Sequence, residues 1–310
     1  MTTEVTPEPS ERVRRAGLLF GAGAYGTWGL FPAFFPLLEP AGALEILAHR
    51  IVWSLVLMAL VIVLVGRLGD LRRMSRRTWL LLAGASALIS ANWAIYVYAV
   101  NNGHVVDAAL GYFINPLVTV GLGVLIFRER LNRAQAAALA IAVVAVVVLT
   151  VEVGALPYIG LGLALSFGLY GAVKKTVDTD PRVSVGVEAG LAAPFALGYL
   201  AVLQSSGAGT FTGHGAAHVV LLVSSGVLTA IPLLLFAAAA QRLPMVTMGL
   251  LFYLTPIMQM TWGVLVGHEP MPPARWLGFA LIWIALAVFS VDAVLRTRSA
   301  RRPVSGDANV

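Results

Sequence analysis

The sequence contains no cysteine and is poor in charge. The absence of cysteine excludes disulfides and thiolate metal sites. Charged residues make up 12% of the chain and hydrophobic residues 59%, whereas a soluble domain carries roughly 25% charged residues. A chain of this composition cannot form a water-soluble surface, so we predict an all-α polytopic membrane protein.

The motifs of an enzyme are also missing. The chain has no G-x-S-x-G turn, no phosphate-binding loop and no paired-carboxylate motif. Its histidines lack the spacing of metal ligands, except that His214 and His218 stand four residues apart in a polar loop, which alone is weak evidence for metal. We therefore predict no catalytic residues, no cofactor and no metal site.

Long apolar runs fill most of the chain. A helix needs about 20 apolar residues to cross a bilayer, and the segment after the polar residues 1–16 has no small-x-small cleavage site, so we interpret it as a retained first helix. The predicted spans are 17–37, 43–65, 78–100, 105–127, 134–151, 157–175, 184–203, 217–239, 244–266 and 276–295.

The basic residues are distributed unevenly along these spans. Of the 21 lysines and arginines, all but Arg50 and Arg275 fall in the two tails and in alternate loops, on one side of the membrane. The positive-inside rule places that side, and both termini, in the cytoplasm. The same distribution argues against a nucleic-acid partner, because no basic domain interleaved with aromatic residues is present.

One stretch occurs twice. Residues 107–129 align with residues 247–269 at an offset of 140 without a gap, so that Pro116 matches Pro256. Each unit contains five spans, and an odd number of spans means that the second copy enters the membrane inverted. Inverted repeats are typical of secondary transporters, although a duplication retained only for folding would leave the same pattern.

This repeat divides the chain into four predicted parts. They are a cytoplasmic N-terminal tail, a first five-helix repeat, a second, inverted five-helix repeat and a cytoplasmic C-terminal tail, at 1–16, 17–151, 157–295 and 296–310. Spans one to four and six to nine carry the polar residues, so we expect them to surround an interior cavity. Spans five and ten are almost purely apolar, so they buttress the bundle or form a dimer face, and we expect a monomer or a homodimer.

The second span contains an arginine that is unfavourable in lipid. An arginine near a helix centre costs about 2.5–3.5 kcal/mol on insertion scales. Glu45 and His49 share one helix face, and Arg50 and Ser54 form a second pair beside Trp53. We interpret these residues as a charge-compensated patch that faces the bundle interior; the alternative is that the Arg50 side chain extends to the outer interface.

The two repeated prolines predict helix breaks. Pro116 and Pro256 each remove an amide donor and free the carbonyl four residues earlier, at Tyr112 and Phe252. A free carbonyl in lipid is unfavourable, so each break is expected to face protein or a water-filled cavity near the midplane. Glu129 and Glu269, at the ends of the repeated stretches, are expected to be helix-end or gate residues on opposite sides.

Candidate site residues follow from these faces. As substrate-binding candidates we take aromatic, amide, hydroxyl and basic residues of the polar spans: Tyr25, Trp28, His49, Arg50, Trp53, Asn92, Tyr96, Tyr112, Asn115, Tyr170, Tyr253, Thr255 and Gln259. Candidates for ion coupling are Glu45, Asp107 and Glu188; Asp107 is equally consistent with an interfacial position, and the place of Glu188 near the start of its span slightly favours one. Lys174 forms a stripe with Ser166 and Tyr170, but its position fits a positive-inside anchor.

Several motifs resemble one family. The resemblance to the RarD proteins, in the EamA branch of the drug/metabolite transporter superfamily, covers roughly residues 17 to 295 and rests on AYGTWGLFP (24–32), LEILAHRIVWS (44–54), NWAIYVYAVN (92–101), GYFINPL (111–117), SFGLYGAVKK (166–175) and FYLTPIMQ (252–259). It implies ten helices in two inverted halves in the bacterial inner membrane. It also implies a permease or exporter of small metabolites or drugs that is driven by an ion gradient. It supplies no catalytic residue.

Two hypotheses from different classes follow. The first is a secondary transporter that moves a small amphipathic solute by alternating access, with the lipid bilayer, the solute and a coupling ion, taken to be the proton, as its partners. The second is a membrane sensor or assembly factor that binds a small ligand without moving it. Flux through liposomes distinguishes the two.

Overall fold

The computed structural model describes residues 11–128, 130–240, 242–243, 248 and 251–300, and all regular structure in these segments is helical. The helices are α1 (Glu11–Gly29), α2 (Phe31–Phe34), a 3-10 helix (Phe35–Leu38), α3 (Ala43–Leu64), α4 (Leu68–Arg73), α5 (Arg76–Asn101), α6 (Val105–Phe127), α7 (Arg133–Val153), α8 (Tyr158–Lys175), α9 (Pro181–Ser205), α10 (Gly215–Ala240), α11 (Leu254–Leu265) and α12 (Pro273–Ala300). Glu129 lies outside the described residues.

The helices match the predicted membrane architecture. Seven of them are long and apolar enough to cross a bilayer, and α1 together with Phe31–Leu38 forms an eighth, broken span with a bend of 45°. Pro32 lies directly after this bend, where its missing N–H leaves a gap in the helical hydrogen bonds. The two remaining predicted spans fall on the shorter helices α8 and α11, so the structure fits ten spans.

Helix packing repeats between the halves. The helices α1, α3, α5, α6 and α7 of the first half correspond to α8, α9, α10, α11 and α12 of the second. The contact of α5 with α8 recurs as α1 with α10, that of α6 with α8 recurs as α1 with α11, and that of α3 with α10 recurs as α5 with α9. The counterparts α3 and α9, α6 and α11, and α7 and α12 also pack on each other. This pattern is that of a two-fold repeat.

Counterpart helices run in opposite directions. In α7 and α12, Leu149 lies against Gly278, while Asn132, at the other end of α7, donates a 2.7 Å hydrogen bond to Asp292. Two helices are antiparallel when the end of each packs against the start of the other, as here. The second half is therefore inverted relative to the first, as the odd number of spans in each repeat predicts.

Small residues allow the two halves to approach closely. A Cβ atom on Gly111 of α6 would lie 2.6 Å from the carbonyl oxygen of Gly160 in α8. Any larger side chain at Gly111 would force these helices apart. This close packing across the halves, which is common between membrane helices, fixes the walls of the cavity described next.

Candidate functional site

A cavity of about 610 Å³ lies between the two halves. Its lining comes from α1 to α3, α5 and α6 of the first half and from α8 to α11 and Phe252 of the second. The helices α7 and α12 contribute none of its lining residues, since they pack on each other and on α6 outside it. A chamber of this size that is bounded by both halves is suited to a small molecule.

Aromatic rings form much of the wall. Tyr25 contacts Trp28 and Phe252 with ring centroids 5.6 and 5.8 Å apart. Phe252 in turn lies 6.5 Å from both Tyr112 and Phe167. These rings come from both halves, and they give the cavity an apolar middle section.

Arg50 lies at one end of the cavity. Its side chain is buried, with 2% of the residue exposed, so it does not extend to the interface. Its Nε donates a 3.0 Å hydrogen bond to Thr229 Oγ1, and the guanidinium carbon lies 4.8, 5.1 and 5.3 Å from the ring centroids of Trp93, Phe35 and Phe31. Nη1 is buried without a hydrogen-bond partner in the protein.

The prediction that Glu45 and His49 form a charge-compensated patch with Arg50 is wrong. Glu45 accepts a 2.7 Å hydrogen bond from the backbone N–H of Thr210, and His49 stacks on Phe211 at 4.8 Å. Successive residues of an α-helix point about 100° apart, so the face of α3 that carries these two side chains is turned away from Arg50 towards the 205–215 connection. Neither residue lines the cavity.

Two polar side chains of α11 hold that helix against α1. Thr255 Oγ1 donates to the backbone oxygen of Tyr25 at 2.8 Å, and Gln259 Nε2 donates to the backbone oxygen of Trp28 at 3.2 Å. The other Gln259 amide atom, Oε1, is buried without a partner. Both residues therefore join the halves and line the cavity.

Asn92 makes the corresponding contact between α5 and α8. Its Nδ2 donates to the Leu163 backbone oxygen at 3.0 Å and to Ser166 Oγ at 2.9 Å. One turn further along α5, Tyr96 is 2% exposed, and its ring lies 5.7 Å from that of Tyr112. Both Asn92 and Tyr96 face the cavity.

An ion-pair network lies at the other end. Lys174 Nζ donates to Glu188 Oε1 at 2.6 Å and to Ser184 Oγ, while Tyr170 donates to Glu188 Oε2 at 3.0 Å. Glu188 is buried, whereas the sequence pattern slightly favoured an interfacial position. Lys174, whose position in the sequence fits a positive-inside anchor, thus also pairs with a buried carboxylate and lines the cavity. In the sequence, the stripe of Ser166, Tyr170 and Lys174 was the signal for this ion-pair network.

The remaining candidates lie outside the lining. Asn115 accepts a 3.0 Å hydrogen bond from Thr119, and Tyr253 packs against the apolar cluster that joins α6, α7, α11 and α12. Trp53 also lies outside it, and Trp93 of α5 takes the position over Arg50. Asp107 pairs with His104 and Arg275, 3.2 and 3.3 Å away, at the start of α6.

The two prolines behave differently. The helix α6 runs unbroken through Pro116, so the break predicted there is absent. In the second half a turn at Tyr253 precedes α11, three residues before Pro256. Neither proline lines the cavity, but Tyr112 and Phe252, whose carbonyls the prolines free, both do.

Two carboxylates outside the spans fasten helix ends. Glu269 accepts hydrogen bonds of 2.6 and 2.9 Å from the backbone N–H groups of Val105 and Val106, and burial raises its pKa above the ordinary value. On the opposite side, Asp180 precedes α9, and a side-chain hydrogen bond from Arg182 lowers the pKa of Asp180 to about 2. Within the described ranges, no three histidine or carboxylate side chains are placed to hold a metal ion.

Comparison with known proteins agrees with this architecture. Residues 15–151 and 157–291 each match the EamA-like transporter family. The chain is 48% identical to Protein RarD of Streptomyces exfoliatus, over 94% of this chain and 93% of that protein. It is 41% identical to the uncharacterized transporter YojE of Bacillus subtilis (93% and 97% covered) and 36% identical to Protein RarD of Escherichia coli K12 (92% and 97% covered).

A solved crystal structure shows a similar fold. It aligns with a TM-score of 0.58 and 17% sequence identity, over 93% of this chain and 99% of that one. The resemblance to RarD proteins seen in the sequence is confirmed. The chain is a multi-pass membrane protein and belongs to the EamA-like transporter family.

Proposed function

We propose that the protein is a secondary transporter that moves a small, partly apolar metabolite or drug across the bacterial inner membrane by alternating access. The observation that carries this proposal is the 610 Å³ cavity, which lies between two inverted halves and is lined by both. In transporters built from inverted repeats, the substrate site lies at the repeat interface near the midplane. Rocking of residues 17–151 against 157–295 would expose such a site to each side in turn.

The positions of the basic residues indicate which side of the membrane the cavity faces. Lys174, Pro181 and Arg182 line the end of the cavity next to the α8–α9 connection. That connection is on the arginine-rich side, which the positive-inside rule assigns to the cytoplasm together with both termini. At the other end, Phe31 and Phe35 pack behind Arg50. We therefore interpret the structure as the inward-facing state.

Glu188 is the best candidate for coupling to a proton. It is the only acidic residue in the described lining, and its partners Lys174, Ser184 and Tyr170 come from α8 and α9. Glu45 and Asp107 have their partners outside the cavity. A carboxylate that exchanges a proton beside the substrate would link proton movement to a change of conformation.

The proposal is tested in cells and in liposomes. Metabolites that differ in intracellular and exported amounts between strains lacking and overproducing the protein identify candidate substrates. Purified protein in liposomes is then expected to accumulate such a compound against its gradient when a pH difference is imposed. Binding of these compounds without any flux would instead support the sensor or assembly factor.

A further inference from the structure

We propose that Arg50 binds the charged group of the substrate, and that the substrate is a small organic monoanion: a carboxylate on an aromatic or branched apolar body. This inference rests on the proposed transport function, because it assigns a substrate class to the same cavity. The juxtaposition that carries it is a buried guanidinium with an unused donor at the end of an aromatic chamber.

The charges along the cavity leave Arg50 without a counter-ion. The charged lining residues are Arg50, Lys174, Arg182 and Glu188. Lys174 pairs with Glu188 at 2.6 Å, and Arg182 pairs with Asp180 at 2.9 Å. Among the described residues, no carboxylate lies within ion-pair distance of Arg50. One positive charge therefore remains uncompensated inside the bundle.

The surroundings of Arg50 stabilise the cation only in part. Trp93, Phe35 and Phe31 lie within 5.3 Å of the guanidinium carbon, at distances where the ring faces attract a cation. Thr229 Oγ1 accepts a hydrogen bond from Nε, but Nη1 has no acceptor in the protein. A buried charge without a partner is unfavourable, and an incoming anion removes that deficit by accepting from Nη1.

Neighbouring polar atoms fit a ligand with one anionic group. The Tyr96 hydroxyl and Gln259 Oε1 are both buried, and neither makes a hydrogen bond of standard geometry. Tyr96 can donate to the anion, and Gln259 Oε1 can accept from an N–H or O–H on the ligand. The apolar body then lies among Tyr25, Trp28 and Phe252.

The same charges disfavour other substrate classes. A cation or a zwitterion would need a free carboxylate, but Glu188, the acidic lining residue, already accepts from Lys174, Ser184 and Tyr170. A dianion such as a phosphate ester would need a second free cation. A monoanion matches the single unpaired charge.

The test uses three probes with one shared body. Binding of 3-phenylpropionate, 3-phenylpropionamide and 3-phenylpropylamine to the purified full-length protein is measured by calorimetry and by the fluorescence of the lining tryptophans Trp28 and Trp93. We expect the carboxylate to bind about 10- to 100-fold more tightly than the amide, as for a hydrogen bond to a charged group. The amine is expected to bind most weakly.

Variants test whether the preference for the carboxylate over the amide depends on Arg50. Arg50→Gln is expected to bind the carboxylate and the amide equally, and Arg50→Lys to keep a reduced preference for the carboxylate. The matched control is Arg242→Gln, because Arg242 also lies over an aromatic ring, Phe20 at 5.3 Å, but is not a cavity residue. This control is expected to keep the full preference of the unmodified protein.

Several outcomes would overturn the inference. In the unmodified protein these are equal binding of carboxylate and amide, a preference for the amine, or no binding of any probe, so the test does not depend on the folding of Arg50→Gln. Flux in liposomes separates the two proposals. Arg50-dependent binding of the carboxylate without flux would support this inference and contradict the transport function. Flux of the amine or the amide, without a preference for the carboxylate, would support the transport function and contradict this inference.

Discussion

Replacing Glu188 by glutamine separates substrate exchange from proton-driven transport if Glu188 is the coupling carboxylate. The amide has nearly the shape of the carboxylate but cannot take up or release a proton. In the structure, Glu188 accepts from Lys174 at 2.6 Å and from Ser184 and Tyr170 at 3.0 Å. The substitution therefore leaves Lys174 without its anion while the cavity keeps its volume.

The stability cost can be derived from these contacts. A hydrogen bond to a charged group contributes about 1.5–3 kcal/mol. Because the Lys174 side chain is 23% exposed, water takes over part of its interaction, and we expect Glu188→Gln to destabilise the protein by about 2 kcal/mol. Combining Glu188→Gln with Lys174→Met is expected to cost about 1 kcal/mol less than the sum of the two single changes, because the double variant leaves no unpaired charge.

Two assays on liposomes complete this test. Glu188→Gln is expected to retain exchange of a substrate between the two sides but to lose accumulation driven by a pH difference. Asp107→Asn is the control, since Asp107 pairs with His104 and Arg275 outside the cavity, and it is expected to retain both activities. Accumulation by Glu188→Gln at the rate of the unmodified protein would refute the assignment of Glu188 as the coupling residue.

Two further predictions concern the packing that shapes the cavity. Gly226→Ala is expected to lower the free energy of unfolding by about 1–3 kcal/mol. The reason is that the added Cβ atom would lie 2.3 Å from Trp53 Cβ, where α3 meets α10. Gly198→Ala, with no atom within 4 Å, is the control, and equal melting temperatures for these two variants would contradict the α3–α10 contact. Glu269→Ala is expected to cost about 1–3 kcal/mol, since it removes both hydrogen bonds to the start of α6; an unchanged melting temperature in detergent would show that this contact does not fasten α6.

The sequence was sufficient for the architecture and for much of the lining. Apolar runs, alternating basic loops and a gapless offset predict the order and inversion of the helices, and the structure fits the ten predicted spans. The helical period then places Tyr25 and Trp28, or Asn92 and Tyr96, on one face, and all four line the cavity. Arg50 stood out because a charge in an apolar run requires a protein environment.

The partners of each polar residue could not be predicted in the same way. Glu45 bonds to Thr210, a residue 165 positions away in a connection without periodicity. Lys174 lies near a helix end, where an anchor and an ion-pair partner look alike in sequence. Which of Trp53 and Trp93 packs over Arg50 depends on the rotation of α3 and α5 about their axes. That rotation is set by tertiary packing.

The central claim is that one cavity is exposed alternately to the two sides of the membrane. The chain has no cysteine, so single cysteines can be introduced directly into it. Ser90→Cys places a thiol in the lining, while Thr176→Cys and Ser206→Cys place thiols at exposed helix ends on opposite sides as orientation controls. The probe is a thiol reagent that does not cross membranes.

The decisive measurement is the rate at which this reagent labels Ser90→Cys in inside-out and in right-side-out vesicles. We predict fast labelling from the cytoplasmic side at rest, and labelling from the external side that rises when a pH difference and a transported compound are supplied. Labelling from one side alone under every condition, while both control thiols react from their expected sides, would contradict alternating access through this cavity.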